Sequence, residues 1–341
     1  MRPTLSVLIV AYENRDDLTK TLPALLPELG DGDELIVVEN KPGDGSAEAV
    51  RELAPRARIV PMGGNAGFAA GINAGAEVAR GELLVILNPD AAPQPGFGEA
   101  IRRPWVDGRA WGAWQALVAD GKLRSINSAG NPLHFTGITW AGGHGRPLDQ
   151  APDAGEVTVA SGACLAIPAE NWRRLGGFPA EFFLYHEDVD VSVRLRAEGH
   201  AVGIEPLAVV AHDYEFSANE QKWFWLERNR LAFLVRTYPG PLLALLAPAL
   251  LATELALLLI SATGGWGREK WRANLAFLRW LPRLLRERRA IQGQRTISAR
   301  EFAAMLTPDL DSDLISPLAR SWSARLLLRT YWRAVRALLP R

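Results

Sequence analysis

The first ninety residues alternate between short apolar segments and longer amphipathic ones, and no other feature limits the possible folds as strongly. Strands that lie parallel in a sheet need long crossover connections, which are usually helical and almost always right-handed. The alternation therefore predicts an α/β fold with a parallel sheet flanked by helices. The predicted strands are residues 5–12, 35–38, 58–62 and 83–87, and the predicted helices are residues 15–29, a helix capped by Asp44 or Ser46, and residues 68–80.

Polar residues follow each of these four strands at the point where the apolar segment ends. In parallel α/β sheets, ligands bind in the crevice at the carboxyl ends of the strands. The sequence therefore predicts a ligand-binding crevice at this edge of the sheet. The polar groups are Tyr12-Glu13-Asn14, Glu39-Asn40, Gly63-Gly64-Asn65 and Asn88-Pro89-Asp90.

The second part of the chain has a weaker pattern. Residues 91–156 are rich in Gly, Pro and Trp and predict short strands and loops without definite bounds. Beyond them, the apolar pattern predicts further strands and helices. The strands are residues 157–167 and 201–211, and the helices are residues 169–175, 189–198 and 228–238.

Three groups of residues have side chains suited to chemistry. Asp90 ends a strand, where a carboxylate can bind a hard divalent cation, although it can equally cap the following turn. His212 also ends a strand, where an imidazole is acceptable to Mn²⁺ or has a purely structural role. Glu187 and Asp188 begin a helix behind an aromatic cluster, so they serve either as caps that the helix dipole stabilises or as a general base with its neighbour.

Residues 64–71 contain several glycines but do not match a dinucleotide-binding loop. They lack the G-x-G-x-x-G spacing and follow the third strand instead of the first. A nicotinamide-dependent oxidoreductase is therefore disfavoured. A non-catalytic sugar- or nucleotide-binding protein on the same fold remains an alternative, because a fold alone does not confer activity.

Taken together, these segments resemble the family 2 glycosyltransferases, which have the GT-A fold, and especially their bacterial rhamnosyltransferase-like members. The resemblance covers residues 4–235, and NAGFAAGIN, ILNPD and FLYHEDVDVSVRLRAEG are its most specific parts. The other matching segments are VLIVAYEN, LIVVEN, VASGACLAIP and the strand that ends at His212.

The resemblance implies a role for each candidate residue. On the donor side, Ala11, Tyr12 and Asn14 would line the nucleotide pocket, Glu39 would contact the base where the family usually has Asp, and Asn65, Gly67, Asn73 and Asn88 would contact the nucleotide-sugar. Asn88-Pro89-Asp90 would replace the family's DxD motif, leaving Asp90 and His212 to hold Mn²⁺ or Mg²⁺. Asp188 would be the catalytic base with Glu187 as its neighbour, and Ser161, Gly162 and Tyr185 would contact the acceptor.

The function that the resemblance implies is inverting sugar transfer by a single displacement. The donor would be a nucleotide-sugar carrying rhamnose or another hexose, and the acceptor a hydroxyl of a glycan or polyprenyl-linked glycan in cell-envelope polysaccharide synthesis. We expect no nucleic-acid partner.

The C-terminal hundred residues differ in character from the rest of the chain. We expect residues 1–240 to form the catalytic domain, with a nucleotide-sugar half over about 1–100 and an acceptor half over about 101–240, and residues 241–341 to form a helical tail. From residue 264 to the end there are 16 Lys and Arg against 6 Asp and Glu, which gives the tail a charge of about +10 and the remaining chain about −10. Halves of opposite charge usually have different partners.

The tail predicts contact with an anionic membrane surface. Residues 241–263 are apolar and long enough to span a bilayer, but they contain Pro248 and, near their centre, Glu254, which is costly in a membrane. An in-plane or re-entrant segment is therefore expected. Near the end of the chain, Arg325, Arg329, Arg333 and Arg336 share one helical face opposite Leu327, Leu328, Tyr331 and Val335, a pattern typical of a basic amphipathic helix on lipid. The alternative is a soluble helical bundle.

The expected location is the cytosol, at the inner face of the cell membrane. The single cysteine, Cys164, excludes an internal disulfide framework and suits a reduced compartment. The first residues predict a strand instead of a secretory signal.

Overall fold

The structure is a computed structural model that describes residues 2–212, 220–311 and 321–340. The chain divides into two compact units. The first, here called the α/β unit, contains the described residues up to 131 together with residues 141–195 and 200–212. The second, the helical unit, contains residues 132–140 and 196–199 and the described residues from 220 onward.

The predicted alternation of strands and helices is present in the α/β unit. Its strands are β1 Leu5–Ala11, β2 Glu34–Glu39, β3 Arg58–Pro61, β4 Leu83–Leu87, β5 Ala91–Pro93, β6 Trp111–Asp120, β7 Ile126–Ser128, β8 Gly155–Glu156, β9 Cys164–Pro168 and β10 Ala201–His212. The helices that begin in this unit are α1 Arg15–Leu25, α2 Ser46–Leu53, α3 Phe68–Glu77, α4 Phe97–Ala100, α5 Arg103–Val106, α6 Ala169–Leu175 and α7 Glu187–Ala197. The helical unit contributes α8 Glu220–Thr237, α9 Gly240–Thr263, α10 Gly267–Gln294, α11 Ala299–Ala304 and α12 Trp322–Leu338.

The sheet is mixed, with strand order β3-β2-β1-β4-β9-β6-β10-β5. The first four strands are parallel, as the alternation predicts, and β6 and β10 are parallel to each other. β9 runs antiparallel to both of its neighbours, β4 and β6. Because Leu87 pairs with Cys164, β9 begins beside the carboxyl end of β4 and brings residues 161–163 to the predicted crevice.

The central strands are buried on both faces, which explains their continuous apolar sequence. Side chains alternate along β1, so Val7 and Ile9 lie in the core beneath α1, while Leu8 and Val10 lie in the core beneath α3. A Cβ atom on Gly71 of α3 would come within 2.8 Å of Val10. The small residues of α3 therefore let this helix pack close to the sheet.

Some predicted bounds are wrong for identifiable reasons. The helix predicted at residues 15–29 ends at Leu25 and continues as a 3₁₀ turn over Leu26–Glu28, because Pro27 has no N–H to donate to the helix. The strand predicted at 157–167 is reduced to β9, because the backbone N–H groups at 160–162 bond to side chains instead of a neighbouring strand.

The predicted domain boundary at residue 240 needs correction. The helical unit takes in α8 and the short segment 132–140, which lies a hundred residues earlier in the sequence. Phe135 in that segment is fully buried, and its ring stacks on Trp332 of α12 with the ring centroids 5.1 Å apart. The local sequence pattern cannot reveal this contact, because the two stacked residues are distant in sequence.

Part of the predicted apolar face of α12 packs inside the helical unit. Trp332 and Val335 are buried, and the Tyr331 hydroxyl donates a hydrogen bond to the Leu245 carbonyl at 2.5 Å. Leu327 on the same predicted face is 70% exposed, so only the packed part of this face agrees with the bundle alternative.

Candidate active site

The turn after β4 meets the carboxyl end of β10 at one edge of the sheet, because β5, which follows that turn, pairs with β10 and places Ala91 opposite His212. The Asn88 backbone N–H donates to the Ala163 carbonyl at 2.9 Å, which holds the turn after β4 against the segment before β9. The His212 Nε2 atom lies 3.1 Å from Asp90 Oδ1 and 3.5 Å from Asn88 Nδ2. The three residues predicted at the donor diphosphate and the metal therefore come together.

The pairing of Asp90 with His212 suits a divalent cation. Two ligands on adjacent corners of an octahedron, each ~2.1 Å from the ion, lie ~3 Å apart, and the observed separation of these side-chain atoms is 3.1 Å. Mn²⁺ and Mg²⁺ commonly take only one or two protein ligands and complete their shell with substrate phosphates and water. No cluster of three or more His, Cys, Asp or Glu side chains suited to a metal occurs among the described residues, so such a site would depend on the donor for further ligands.

Asp188 lies in the first turn of α7 and faces the same segment that holds Asn88. Its Oδ2 atom accepts a hydrogen bond from the Gly162 N–H at 2.9 Å, and its Oδ1 atom accepts one from the Val189 N–H at 2.8 Å. Burial raises the pKa of the Asp188 carboxyl, and these two hydrogen bonds partly oppose that effect. A carboxylate with a raised pKa is a better proton acceptor than one in water.

Glu187 is buried beside Asp188, with only 5% of its surface exposed. Its Oε2 atom is buried and has no hydrogen-bond partner within the described residues. Burial, reinforced by the charge of Asp188, raises the pKa of Glu187 to about 8. Glu187 is therefore uncharged at neutral pH, whereas a capping role would need its carboxylate form.

The segment leading into α7 is strained. Phe183, Tyr185 and His186 all have positive φ angles, of 65°, 71° and 69°. Such backbone angles are costly for residues other than glycine, and they concentrate at functional sites. This segment sets the start of α7 and presents the predicted acceptor residue Tyr185, which is half-buried.

Gly67 joins this strained segment to the donor side of the crevice. A Cβ atom at Gly67 would lie 2.5 Å from the Phe183 ring and 2.6 Å from the Phe183 carbonyl oxygen. That carbonyl accepts a hydrogen bond from the Ala69 N–H at 3.2 Å. The start of α3 and the approach to Asp188 therefore support each other.

The predicted nucleotide-sugar residues fall into two groups. Asn65 is exposed, and its side-chain oxygen accepts hydrogen bonds from Asn40 Nδ2 at 3.1 Å and from the Gly67 N–H at 3.0 Å. The Asn73 side chain donates to the Phe178 carbonyl and accepts from the Phe178 N–H, each at 2.9 Å. Asn73 thus braces the fold in this structure, while Asn65 orders the loop at the crevice.

An open cavity of about 460 Å³ lies beyond the ends of β1 and β2, beside Tyr12. It is lined by Glu13, Arg15, Asp16, Lys41, Gly43 and Asp44. The Lys41 ammonium lies 5.3 Å from the centre of the exposed Tyr12 ring and forms an ion pair with Glu13.

The remaining predicted donor residues lie at the same edge of the sheet. The Asn14 amide oxygen accepts the Tyr12 N–H at 2.9 Å, and the buried Ala11 accepts the Asn40 N–H at 2.9 Å. Glu39 is half-buried at the end of β2.

Two residues that shape the crevice have no site role in the sequence interpretation, which omits Gln115 and treats Asp44 only as a possible helix cap. Gln115 is fully buried in β6, and its Oε1 atom accepts the Ser161 N–H at 2.9 Å. Asp44 accepts the Glu13 N–H at 2.6 Å and the Ser46 N–H at 2.8 Å. The one available signal for Gln115 is a lone amide within the apolar segment WGAWQALVA.

Comparisons with known proteins show which proteins this chain is similar to. Residues 6–168 match the model of the family described as Glycosyl transferase family 2. The N-acetylglucosaminyl-diphospho-decaprenol L-rhamnosyltransferase of Mycobacterium tuberculosis is 26% identical over 240 residues, which cover 62% of this chain and 76% of that protein.

Two solved structures share the fold. GalNAc-T7 with UDP, GalNAc and Mn²⁺ has a TM-score of 0.53 and 15% identity, with 63% of this chain and 44% of that chain covered, so this chain spans less than half of that protein's length. The mannosyltransferase PcManGT from Pyrobaculum calidifontis, in complex with GDP-Man and Mn²⁺, has a TM-score of 0.51 and 18% identity, with 99% and 87% covered.

The chain is a glycosyltransferase with the GT-A fold. Its residues 6–168 match glycosyl transferase family 2, and the chain is similar to a mycobacterial rhamnosyltransferase.

Proposed function

We propose that this glycosyltransferase moves rhamnose, or another hexose, from a nucleotide-sugar to a hydroxyl of a polyprenyl-diphosphate-linked glycan, with inversion at the anomeric carbon. The observation that carries the proposal is the convergence on residues 162–163: Gly162 donates to the Asp188 carboxylate, and Ala163 accepts from Asn88 beside the Asp90 and His212 pair. A proton acceptor and a diphosphate site are thereby supplied at one edge of the sheet.

The proposed reaction is one displacement. The acceptor oxygen forms a bond to the anomeric carbon as the bond from that carbon to the diphosphate oxygen breaks. Asp188 takes the proton of the acceptor hydroxyl, and its raised pKa suits this role. Glu187, uncharged beside it, avoids placing a second negative charge near the nucleophile.

Residues of the crevice hold the donor in this proposal. Asp90 and His212 would bind Mn²⁺ or Mg²⁺, which when present stabilises the negative charge of the leaving diphosphate. The cavity beside Tyr12 takes the nucleotide, with Glu39 at the base, and Ser161 and Tyr185 contact the acceptor.

The acceptor proposal rests on the mycobacterial relative and on the apolar helix α9. That relative is named for transfer to N-acetylglucosaminyl-diphospho-decaprenol. Among the described residues, α9 is the one helix long and apolar enough to cross a membrane. We place the protein at the cytosolic face of the cell membrane, because its lipid-linked acceptor and its nucleotide-sugar donor meet there.

The test is transfer from dTDP-rhamnose and a panel of other nucleotide-sugars, with Mn²⁺, to a short-chain polyprenyl-diphospho-N-acetylglucosamine. Wild-type protein should form a product with inverted configuration, and Asp188→Asn should lose about 10²-fold or more of the turnover while binding donor normally. Asp107→Asn, which changes an exposed carboxylate just before the amino end of β6 and away from the crevice, is the control and should stay close to wild type. An Asp188→Asn variant that kept a tenth of the turnover would show that another group accepts the proton.

A further inference from the structure

We infer that α9 lies in the plane of one membrane leaflet on its Leu251, Leu255 and Leu259 face, fixed there by a buried ion cluster that prevents it from spanning the bilayer. The inference rests on the proposed membrane-borne acceptor, and it names the surface of the helical unit that meets the lipid. Length alone permits a span, because 24 helical residues extend for about 36 Å at 1.5 Å per residue.

The exposed face of α9 is a continuous apolar stripe. Leu251, Leu255, Leu259 and Ile260 are between 48% and 72% exposed, and their helical spacing places them on one side. The smaller exposed residues of α9 are Gly240, Pro241, Ala244, Ala247, Pro248, Ala252, Ala256, Ala262 and Thr263. No charged side chain of α9 lies among these exposed residues.

The apolar exposure is concentrated in the helical unit. Of the sixteen large hydrophobic side chains exposed in the described part of the chain, twelve lie in α9, α10 and α12. Contiguous apolar surface of this kind indicates a partner or a membrane. On α10, Trp271, Leu275, Leu278 and Leu285 form a second exposed stripe.

Positive charge accompanies these stripes. Six exposed arginines lie along α10, each within four residues of an exposed apolar side chain: Arg268, Arg272, Arg279, Arg283, Arg286 and Arg289. Apolar side chains beside basic ones are what a helix needs to bind anionic headgroups while its apolar face enters the leaflet. This charge favours an anionic lipid surface over an apolar protein partner.

The one acidic residue of α9 is Glu254, which lies beside the leucine stripe and is part of a four-residue ion cluster. Lys270 Nζ lies 2.5 Å from Glu227 Oε2 and 2.7 Å from Glu254 Oε2. Arg230 forms ion pairs with the same two carboxylates. Two positive and two negative groups therefore balance.

Three members of this cluster are buried, the Glu254 side chain is 20% exposed, and together they tie three helices to one another. Lys270 and Arg230 are 0% and 2% exposed, and they belong to α10 and α8. Burial alone would raise the pKa of Glu227, but the charges of Arg230 and Lys270 lower it to about 2. The Glu227 carboxylate is thus ionised and held at physiological pH.

The cluster decides between a spanning and an in-plane helix. If α9 spanned the bilayer, Glu254 would enter the hydrocarbon either alone, as an unpaired buried charge, or together with the charged helices α8 and α10. Both arrangements are costly, because breaking a buried ion pair or placing several charges in hydrocarbon is strongly unfavourable. In the plane of the leaflet, the cluster stays inside the protein while the leucine stripe enters the lipid.

The first experiment measures binding of the full chain to vesicles of phosphatidylglycerol and phosphatidylethanolamine by flotation. Leu259→Glu and Leu255→Glu should each reduce the bound fraction at least about tenfold, since each removes one leucine from the lipid and adds a charge. Leu207→Glu is the matched control, because Leu207 is 60% exposed on β10 of the α/β unit and should leave binding unchanged. Wild-type protein that ignores these vesicles, or equal loss in the control, would overturn the inference.

The second experiment tests orientation. Cysteines introduced at Gly240 and Thr263, both exposed, in a Cys164→Ala background, are treated with a membrane-impermeant maleimide outside sealed vesicles. Both ends should label for an in-plane helix, whereas protection of one end would show that α9 spans. If Leu259→Glu instead dissociates a dimer in the absence of lipid, the stripe binds a second copy and the inference is wrong.

Activity separates this inference from the proposed function. With a water-soluble short-chain acceptor, the transfer rate of Leu259→Glu should match that of wild type. With the same acceptor headgroup on a long chain in vesicles, the transfer rate of the variant should be at least about tenfold lower, in line with its loss of membrane binding. Failure of wild-type transfer with both acceptors would refute the proposed function, whatever the vesicle binding shows.

Discussion

Replacement of Glu187 by Gln should stabilise the protein at neutral and alkaline pH. Glu187 is 5% exposed, and its pKa rises from an ordinary 4.5 to about 8 in the folded protein. Between these values the folded state keeps a proton that the unfolded state releases, so the free energy of unfolding falls as pH rises through this window. Gln cannot ionise, so the variant avoids this loss.

The size of the effect follows from the width of the window. Each unit of pKa difference corresponds to about 1.4 kcal/mol, so ionisation of the unfolded Glu187 costs the folded state at most about 3 kcal/mol at pH 7 and less than about 1 kcal/mol at pH 5. Asp188 also has a raised pKa and interacts with Glu187, so the difference in stability reports the titration of the pair.

The assay is urea unfolding at pH 5 and pH 7.5, followed by tryptophan fluorescence. The free energy of unfolding of Glu187→Gln, measured relative to that of wild type, should increase by about 2 to 3 kcal/mol from pH 5 to pH 7.5. Glu52→Gln, at an exposed position of α2, should show no such growth. An advantage for Glu187→Gln that is equal at both pH values would refute the assignment of an uncharged Glu187. Sugar transfer at pH 7 should stay close to wild type, because Gln reproduces the neutral form.

Two further outcomes follow from the crevice. Asp90→Ala and His212→Ala should each weaken Mn²⁺-dependent binding of a nucleoside diphosphate at least about tenfold, as calorimetry would show. If the wild-type protein bound the nucleoside diphosphate equally well with and without Mn²⁺, that result would contradict the metal site. Gly67→Ala should cost about 2–4 kcal/mol in urea unfolding, because it combines a left-handed backbone with a clash against Phe183. Gly63→Ala, also at positive φ but with nothing within 4 Å of the added atom, should cost only about 1–2 kcal/mol, and an equal cost at both positions would rule out the clash.

The features visible in the sequence are those that local pattern determines. The four parallel strands of the first ninety residues appear as predicted, because a strand buried on both faces must be apolar along its length. The meeting of Asn88, Asp90 and His212 follows from the same logic, since each ends or follows a strand of one sheet.

The features that the sequence hides depend on contacts between distant segments. An acidic residue at the start of a helix, such as Glu187, is typical of a helix cap. Only the packed structure shows that Glu187 is buried and that its pKa is raised. The two hydrogen bonds that bind the Asn73 side chain to Phe178 join residues 105 positions apart. The antiparallel direction of β9 is hidden for a related reason. The long segment before β9 is rich in turns and has no strand or helix periodicity, so the sequence does not indicate how the chain enters the sheet.

The discontinuous make-up of the helical unit limits how this chain can be cut and recombined. A truncation after residue 240 would remove Trp332 and leave the ring of Phe135, now buried, facing water. Such a fragment would carry a new aromatic patch and would be prone to aggregate, even though its α/β sheet is intact. A chimera that exchanges the helical unit between related enzymes therefore has to exchange residues 132–140 along with the C-terminal helices.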